Sequence, residues 1–188
     1  MFKQTVYEDI AFGPSVLKML NMEEKVKESM EFVGLNESFK NRNPFELSGG
    51  EKRKVAIAGV IATNPKILIL DEPTVGLDSS SKKDILKKIK NYNKKTSNTI
   101  IIVSHDVNII AQYVDKVLIL DNGKIAKYDT VDNIFSNPNE LEKLDIEFPE
   151  IPKIFQKLNS NKIKVNTNIY TIEQAKKELL LLNNTRKE

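Results

Sequence analysis

Residues 47–78 read LSGGEKRKVAIAGVIATNPKILILDEPTVGLD, from Leu47 to Asp78. They hold three elements in order: a glycine-rich turn, an apolar helix, and a strand that ends in two acids. Ser48 followed three residues later by Glu51 is a capping box, with Ser48 as N-cap and Glu51 at the third helical position. Gly49 and Gly50 between them let a partner come close to the first helical turn. Exposed N–H groups and the positive end of the helix dipole favour an anion there. The helix carries Val55, Ala58, Gly59 and Ala62 on one face, with Ile57 and Ile61 beside it. It is apolar nearly all round and is therefore expected to be buried; Asn64-Pro65 ends it. Residues 67–70 form a short, continuously apolar run, the pattern of an inner parallel strand. Asp71 and Glu72 stand at its carboxyl end, where open α/β sheets bind ligands.

Composition bounds the rest. A chain of 188 residues suits one domain, or one plus an appendage, and can bury a sizeable core. Its 29 Lys and Arg against 26 Asp and Glu leave a net charge of +3, a solvated surface rather than a nucleic-acid footprint. No cysteine is present, which excludes a disulfide framework and a thiolate metal site. The apolar runs fall far short of the ~20 residues that span a bilayer. Met1 is followed by no hydrophobic secretory segment. Membrane association is therefore expected only through a partner.

Working outward, Asn21 with Glu24 suggests a capping-box variant ahead of a helix with the apolar stripe Val26, Met30 and Val33, stopped by Gly34. After Asp78, residues 79–91 form an amphipathic helix with Ile85, Leu86 and Ile89 inward, flanked by lysines that read as a solvated face. Thr99–Val103 is a β-branched strand, expected to be buried. Lys116–Asp121, then Asn122-Gly123, then residues 124–128 read as a hairpin with a type I′ turn. From about Ser136 the pattern changes: Ile151, Ile154, Phe155 and Leu158 recur at helical spacing. Thr171 and Gln174 then make a second capping box ahead of Ile172, Ala175, Leu179 and Leu182.

Four of these motifs carry a resemblance. LSGGE resembles the signature of ABC ATPases, ILILDEPT their Walker B strand, and Gly76-Leu77-Asp78 their D-loop. IIVSHD, residues 101–106, resembles their switch strand with its histidine. Residues 1–14 and NPFELSGGEKRKVAIAGV (residues 43–60) are similar to ATPases of energy-coupling factor (ECF) transporters, closest to the second of their two paired ATPases. The implied fold is α/β, the C-terminal part of a P-loop ABC ATPase with helical subdomain and parallel-sheet core strands, plus a C-terminal helical appendage. Residues 1–135 would be the partial ATPase domain, with about 5–64 as helical subdomain and 65–135 as the Walker B and switch half. Residues 136–188 would be the appendage through which such ATPases pair, or helices that simply pack on their own core.

The resemblance also implies roles. Asp71 would hold Mg²⁺, Glu72 would act as general base or water-polariser, and His105, the single histidine, would contact the γ-phosphate of ATP. Ser48, Gly49, Gly50, Glu51 and Asp78 would complete the ATP site of the facing subunit. The family's usual residue at Glu51 is glutamine, so the sequence departs there. Tyr7, Ile10 and Phe12, on the first helix, are candidates either for contact with a membrane subunit or for core packing. Expected partners are a second ABC ATPase, a membrane coupling subunit and a substrate-binding membrane subunit, and not nucleic acid. The expected location is peripheral, on the cytoplasmic face of the cell membrane.

One part of the family pattern is missing. A Walker A loop needs G-x-x-x-x-G-K-[ST], and none of the seven glycines is followed by Lys-Ser or Lys-Thr. Met1 would fall just beyond the Q-loop, as in a shortened gene model or fragment. Without a preceding strand and helix, the Val103 side of the sheet is expected to be exposed. Two functions compete: the ATP-hydrolysing subunit of an ECF-type importer of vitamins or metal ions, and a non-catalytic subunit that lends its signature to an active partner. ABC ATPases of DNA repair or translation fit less well, because no long insertion separates Leu47 from His105.

Overall fold

Residues 3–185 are described in the computed structural model; Met1, Phe2 and residues 186–188 lie outside the described residues. The chain divides between Val103 and Ser104 into two units. The first unit starts with helix α1 (Val6–Val16), capped by a Thr-x-x-Glu box that the motif reading passed over. Thr5 Oγ1 accepts the Glu8 N–H at 3.2 Å, and Glu8 Oε2 accepts the Thr5 N–H at 3.2 Å. Ile10 is fully buried, which assigns it to packing, whereas Phe12 is half exposed.

Helix α2 (Met22–Val33) buries Val26, Met30 and Val33, and Gly34 stops it at φ 71°, a left-handed conformation that suits glycine. Its start differs from expectation. Asn21 is itself left-handed at φ 56°, and its amide donates to Glu24 Oε2 at 3.4 Å instead of capping the backbone. Helix α3 (Gly49–Ile61) packs with α1 and α2. It buries Val55, Ile57, Ala58 and Ile61, but Ala56 and Val60, four residues apart, share a side left to solvent. The helix is thus buried on most of its circumference, not all of it.

Strand β1 (Ile67–Asp71), helix α4 (Ser79–Thr96) and strand β2 (Thr99–Val103) form a βαβ unit with a parallel pair in the register Ile67↔Thr99 through Asp71↔Val103. Helix α4 buries Ile85, Leu86 and Ile89 and runs five residues past the expected end; Ser97, left-handed at φ 54°, closes it. The inner-strand expectation holds on one face only. Leu68 and Leu70 are buried, whereas Ile67, Ile69, Ile101 and Val103 are exposed. Registered partners in a pleated pair point to the same side. These four side chains therefore make one open apolar face, the exposure expected on the Val103 side.

In the second unit, helix α5 (Val107–Tyr113) precedes the hairpin of β3 (Lys116–Asp121) and β4 (Lys124–Thr130). Asn122 at φ 47° and Gly123 at φ 75° supply the two left-handed residues that a type I′ turn requires. The short helices α6 (Val131–Ile134) and α7 (Pro138–Glu142) follow, then α8 (Glu150–Ser160) and α9 (Ile172–Thr185). Ala111, Ile119, Val131, Ile134, Phe135, Leu141 and Tyr170 form a single cluster. Position 136, where the sequence pattern changes, therefore lies inside this unit, with core residues on both sides of it. The second capping box is present: Thr171 Oγ1 accepts the Gln174 N–H at 3.2 Å and Gln174 Oε1 accepts the Thr171 N–H at 3.0 Å. Ile154, Ile172 and Leu179 remain exposed, which leaves the outer stripes of α8 and α9 open.

Candidate functional site

Ser48 sits where sequence places it, at the N-cap of α3. Its hydroxyl accepts the Glu51 N–H at 3.3 Å and donates to Glu51 Oε2 at 2.8 Å, while its own N–H donates to that same Oε2 at 2.8 Å. The Ser48 hydroxyl, and then its N–H, hold the Glu51 carboxyl below its usual range. Gly49 faces open space, since a Cβ built there would meet nothing within 4 Å. Gly50 does not: a Cβ there would lie 3.0 Å from the Gly76 carbonyl oxygen and 3.4 Å from Leu77 Cδ2. The glycine-rich turn therefore packs directly on the Gly76-Leu77-Asp78 loop, a contact that no periodicity in the sequence signals.

Asp78 caps α4. Its Oδ1 accepts the N–H groups of Ser80 at 2.9 Å and Ser81 at 3.0 Å and the Ser80 hydroxyl at 2.6 Å. These bonds, that of the Ser80 side chain foremost, lower its pKa far below the ordinary carboxylate value. A depressed folded-state value means that the stabilisation is present above the unfolded value and is lost as pH falls. The melting temperature of the native chain should therefore drop more steeply below about pH 4 than that of Asp78→Asn. Parallel melting curves down the pH scale would refute this reading of the cap.

Asp71 ends β1 with its side chain exposed. Glu72 follows at φ 45°, a left-handed conformation uncommon outside glycine, asparagine and aspartate. Its N–H donates to the Val103 carbonyl at 2.9 Å, which ties it to the end of β2. Beyond it, Pro73 and Thr74 are buried, and the Leu77 N–H donates to the Thr74 carbonyl at 3.2 Å. The chain is thereby folded directly from the two acids into the 76–78 loop. Among the described residues, no three or more His, Cys, Asp or Glu gather as a metal cluster. An exposed carboxylate at a strand end still fits Mg²⁺, which takes one or two protein oxygens and completes its shell with phosphate and water.

His105 belongs to the second unit, exposed in the bend before α5. Its neighbour Asp106, to which the sequence analysis gave no role, is the N-cap of α5, its Oδ1 accepting from the N–H groups of Asn108 at 3.0 Å and Ile109 at 3.3 Å. Asp-x-x ahead of an apolar run was the available signal. The first unit thus carries Ser48, Gly49, Gly50, Glu51, Asp71, Glu72 and Asp78, and the second carries His105.

Known proteins are similar to most of the chain. The ABC transporter profile matches residues 1–75. Energy-coupling factor transporter ATP-binding protein EcfA2 of Caldanaerobacter subterraneus subsp. tengcongensis is 43% identical over 182 residues, 96% of this chain and 64% of that protein. EcfA2 of Clostridium tetani is 41% identical over 189 residues, 99% of this chain and 66% of that protein. The chain is similar to ABC transporter ATP-binding proteins over nearly its whole length. Its likeness to the second of the paired ECF ATPases is borne out by these relatives. It spans a little less than two thirds of their length.

Solved ABC structures agree on the fold. Clostridium perfringens cbiO1, part of the ABC transporter complex cbiONQ, superposes with a TM-score of 0.64 at 32% identity over 83% of this chain and 62% of that one. An ATP-binding cassette solved as a dimer with ADP and Pi gives 0.64 at 28% identity over 70% of this chain and 58% of that one. The expected α/β cassette architecture is therefore the observed one. ABC cassettes bind ATP, typically with Mg²⁺. No helix among the described residues is long and apolar enough to cross a membrane.

Proposed function

We propose that the chain is the ATP-binding, ATP-hydrolysing subunit of an ECF-type ABC importer of vitamins or metal ions, acting on the cytoplasmic face of the cell membrane. Its partners in this reading are a second ABC ATPase, a membrane coupling subunit and a substrate-binding membrane subunit. The observation that carries it is the seating of the Ser48–Gly50 turn on the 76–78 loop. One surface then holds both motifs that this family turns toward a facing subunit, with Gly49 and Gly76 open to approach.

In this reading Asp71 would hold Mg²⁺ through a water, and the ion when bound would neutralise charge on the phosphates. Glu72 orients and deprotonates the attacking water, and His105 donates a hydrogen bond to the γ-phosphate. Ser48 and the first N–H groups of α3 donate to the γ-phosphate held by the partner. With Ile10 committed to the core, exposed Phe12 is the stronger candidate on α1 for contact with the membrane subunit, while Tyr7 is half-buried.

The test mixes the purified chain with a complete ECF-type ATPase whose own signature serine is replaced by arginine. ATP turnover should then depend on this chain and vanish with its Ser48→Arg. Turnover indifferent to Ser48→Arg removes the trans role. Turnover that needs Ser48 but ignores Glu72→Gln in a form carrying a phosphate loop supports the non-catalytic, signature-lending subunit instead.

A further inference from the structure

We propose that Glu51 is a positioning residue that holds the Ser48 hydroxyl proton and so weakens this turn's grip on a nucleotide offered by the facing subunit. The inference rests on the trans role proposed above, which the family resemblance gives the turn; a helix start alone would not.

Serine has a single hydroxyl proton, and an ionised carboxylate can only accept. The 2.8 Å contact between Ser48 Oγ and Glu51 Oε2 therefore has the serine as donor. The lowered pKa of Glu51 agrees with an ionised group. The oxygens of a γ-phosphate are acceptors too, so the same proton cannot serve both. When the hydroxyl turns toward phosphate, Oε2 keeps only the Ser48 N–H at 2.8 Å. A full negative charge is then left on the order of 5 Å from another anion, a repulsion large enough at effective dielectrics of 20–80 to change affinity by roughly tenfold. Arg42 and Lys54 act on Glu51 through space and soften this charge without accepting or donating at the serine.

Beside the serine, a Cβ built at Gly49 would meet nothing within 4 Å. Glutamine at the same position would still accept the Ser48 N–H through its amide oxygen, so the cap would survive. It would release the hydroxyl more cheaply, being neutral, and would offer an N–H₂ group toward the anion. The glutamate thus retains the local fold at the expense of the anion contact.

The test uses the mixture described above, with the full chain as signature donor and ATP as ligand. Glu51→Gln should lower the KM for ATP about tenfold with kcat nearly unchanged, the mark of an interaction made equally in ground and transition states. Its melting temperature should stay within a few degrees of the parent, while Glu51→Ala, which loses the cap, should melt lower. An unchanged KM in Glu51→Gln, in a mixture that Ser48→Arg still silences, overturns the proposal and leaves the trans role standing. Turnover that survives Ser48→Arg overturns the trans role, and the proposal with it.

Discussion

Alone, the chain should hydrolyse ATP no faster than the buffer blank, and an in-frame fusion to a segment that carries a Walker A phosphate loop should raise turnover at least about a hundredfold. Phosphoryl transfer asks little covalent chemistry of a protein; it asks for positioned donors and positive charge around the phosphates. In the proposed reading Asp71, Glu72 and His105 serve the metal, the water and the γ-phosphate, but these 188 residues hold no Gly-Lys-Ser or Gly-Lys-Thr to cradle the β-phosphate. The fusion supplies that cradle and leaves the water to Glu72. Within the fusion, Glu72→Gln should cost about 10²- to 10⁴-fold in phosphate release, the range of a positioned general base. A Glu72→Gln fusion that turns over like its parent would show that Glu72 does not activate the water. A fast rate from the unfused chain would show that phosphate is gripped by groups other than a Walker A loop.

The legible parts of this molecule are those written in local chemistry. Ser48 with Glu51 and Thr171 with Gln174 announce two helix starts, and both boxes are made in full. Asn122-Gly123 fixes its turn because two consecutive left-handed residues leave few alternatives. Asn21 fails for the same reason that it is attractive: asparagine tolerates the left-handed region, and there its side chain reaches Glu24 rather than the backbone. What could not be read locally is what stands next to what. Residues 67–70 read as fully apolar whether one face or two is covered, since a run of Ile and Leu does not say what lies opposite. Equally, Gly50 and Gly76 are 26 positions apart, and only the fold sets a backbone carbonyl against the missing Cβ. The acids, Ser48 and the single histidine stand out in the sequence because the chemistry proposed for them restricts their type. Asp106 lay in plain view as a cap and was absorbed into the histidine motif around it.

The two faces of the β1–β2 pair should answer mutation very differently. Leu68 is 1% exposed and Ile69 64% exposed, although they are neighbours in one strand and differ only in where the branch lies. Leu68→Ala removes about three methyl or methylene groups from packed surroundings and leaves a void, a loss of about 2–5 kcal/mol. Ile69→Ala removes surface that water already wets, and should cost under about 1 kcal/mol, most of it β-propensity. The comparison is made by urea titration of each variant at constant m-value, so that the change in midpoint reports stability. In the fusion the second number should change. Parallel sheets are covered on both faces because their crossover helices lie there, and if the added segment covers Ile67, Ile69, Ile101 and Val103, Ile69→Ala should become as costly as a core deletion, about 2 kcal/mol or more. Equal penalties for Leu68→Ala and Ile69→Ala in the unfused chain would mean that the apolar face is already covered. An Ile69→Ala penalty that stays small in the fusion would mean that the added segment packs elsewhere, and the restored turnover would then need an explanation that does not run through this sheet.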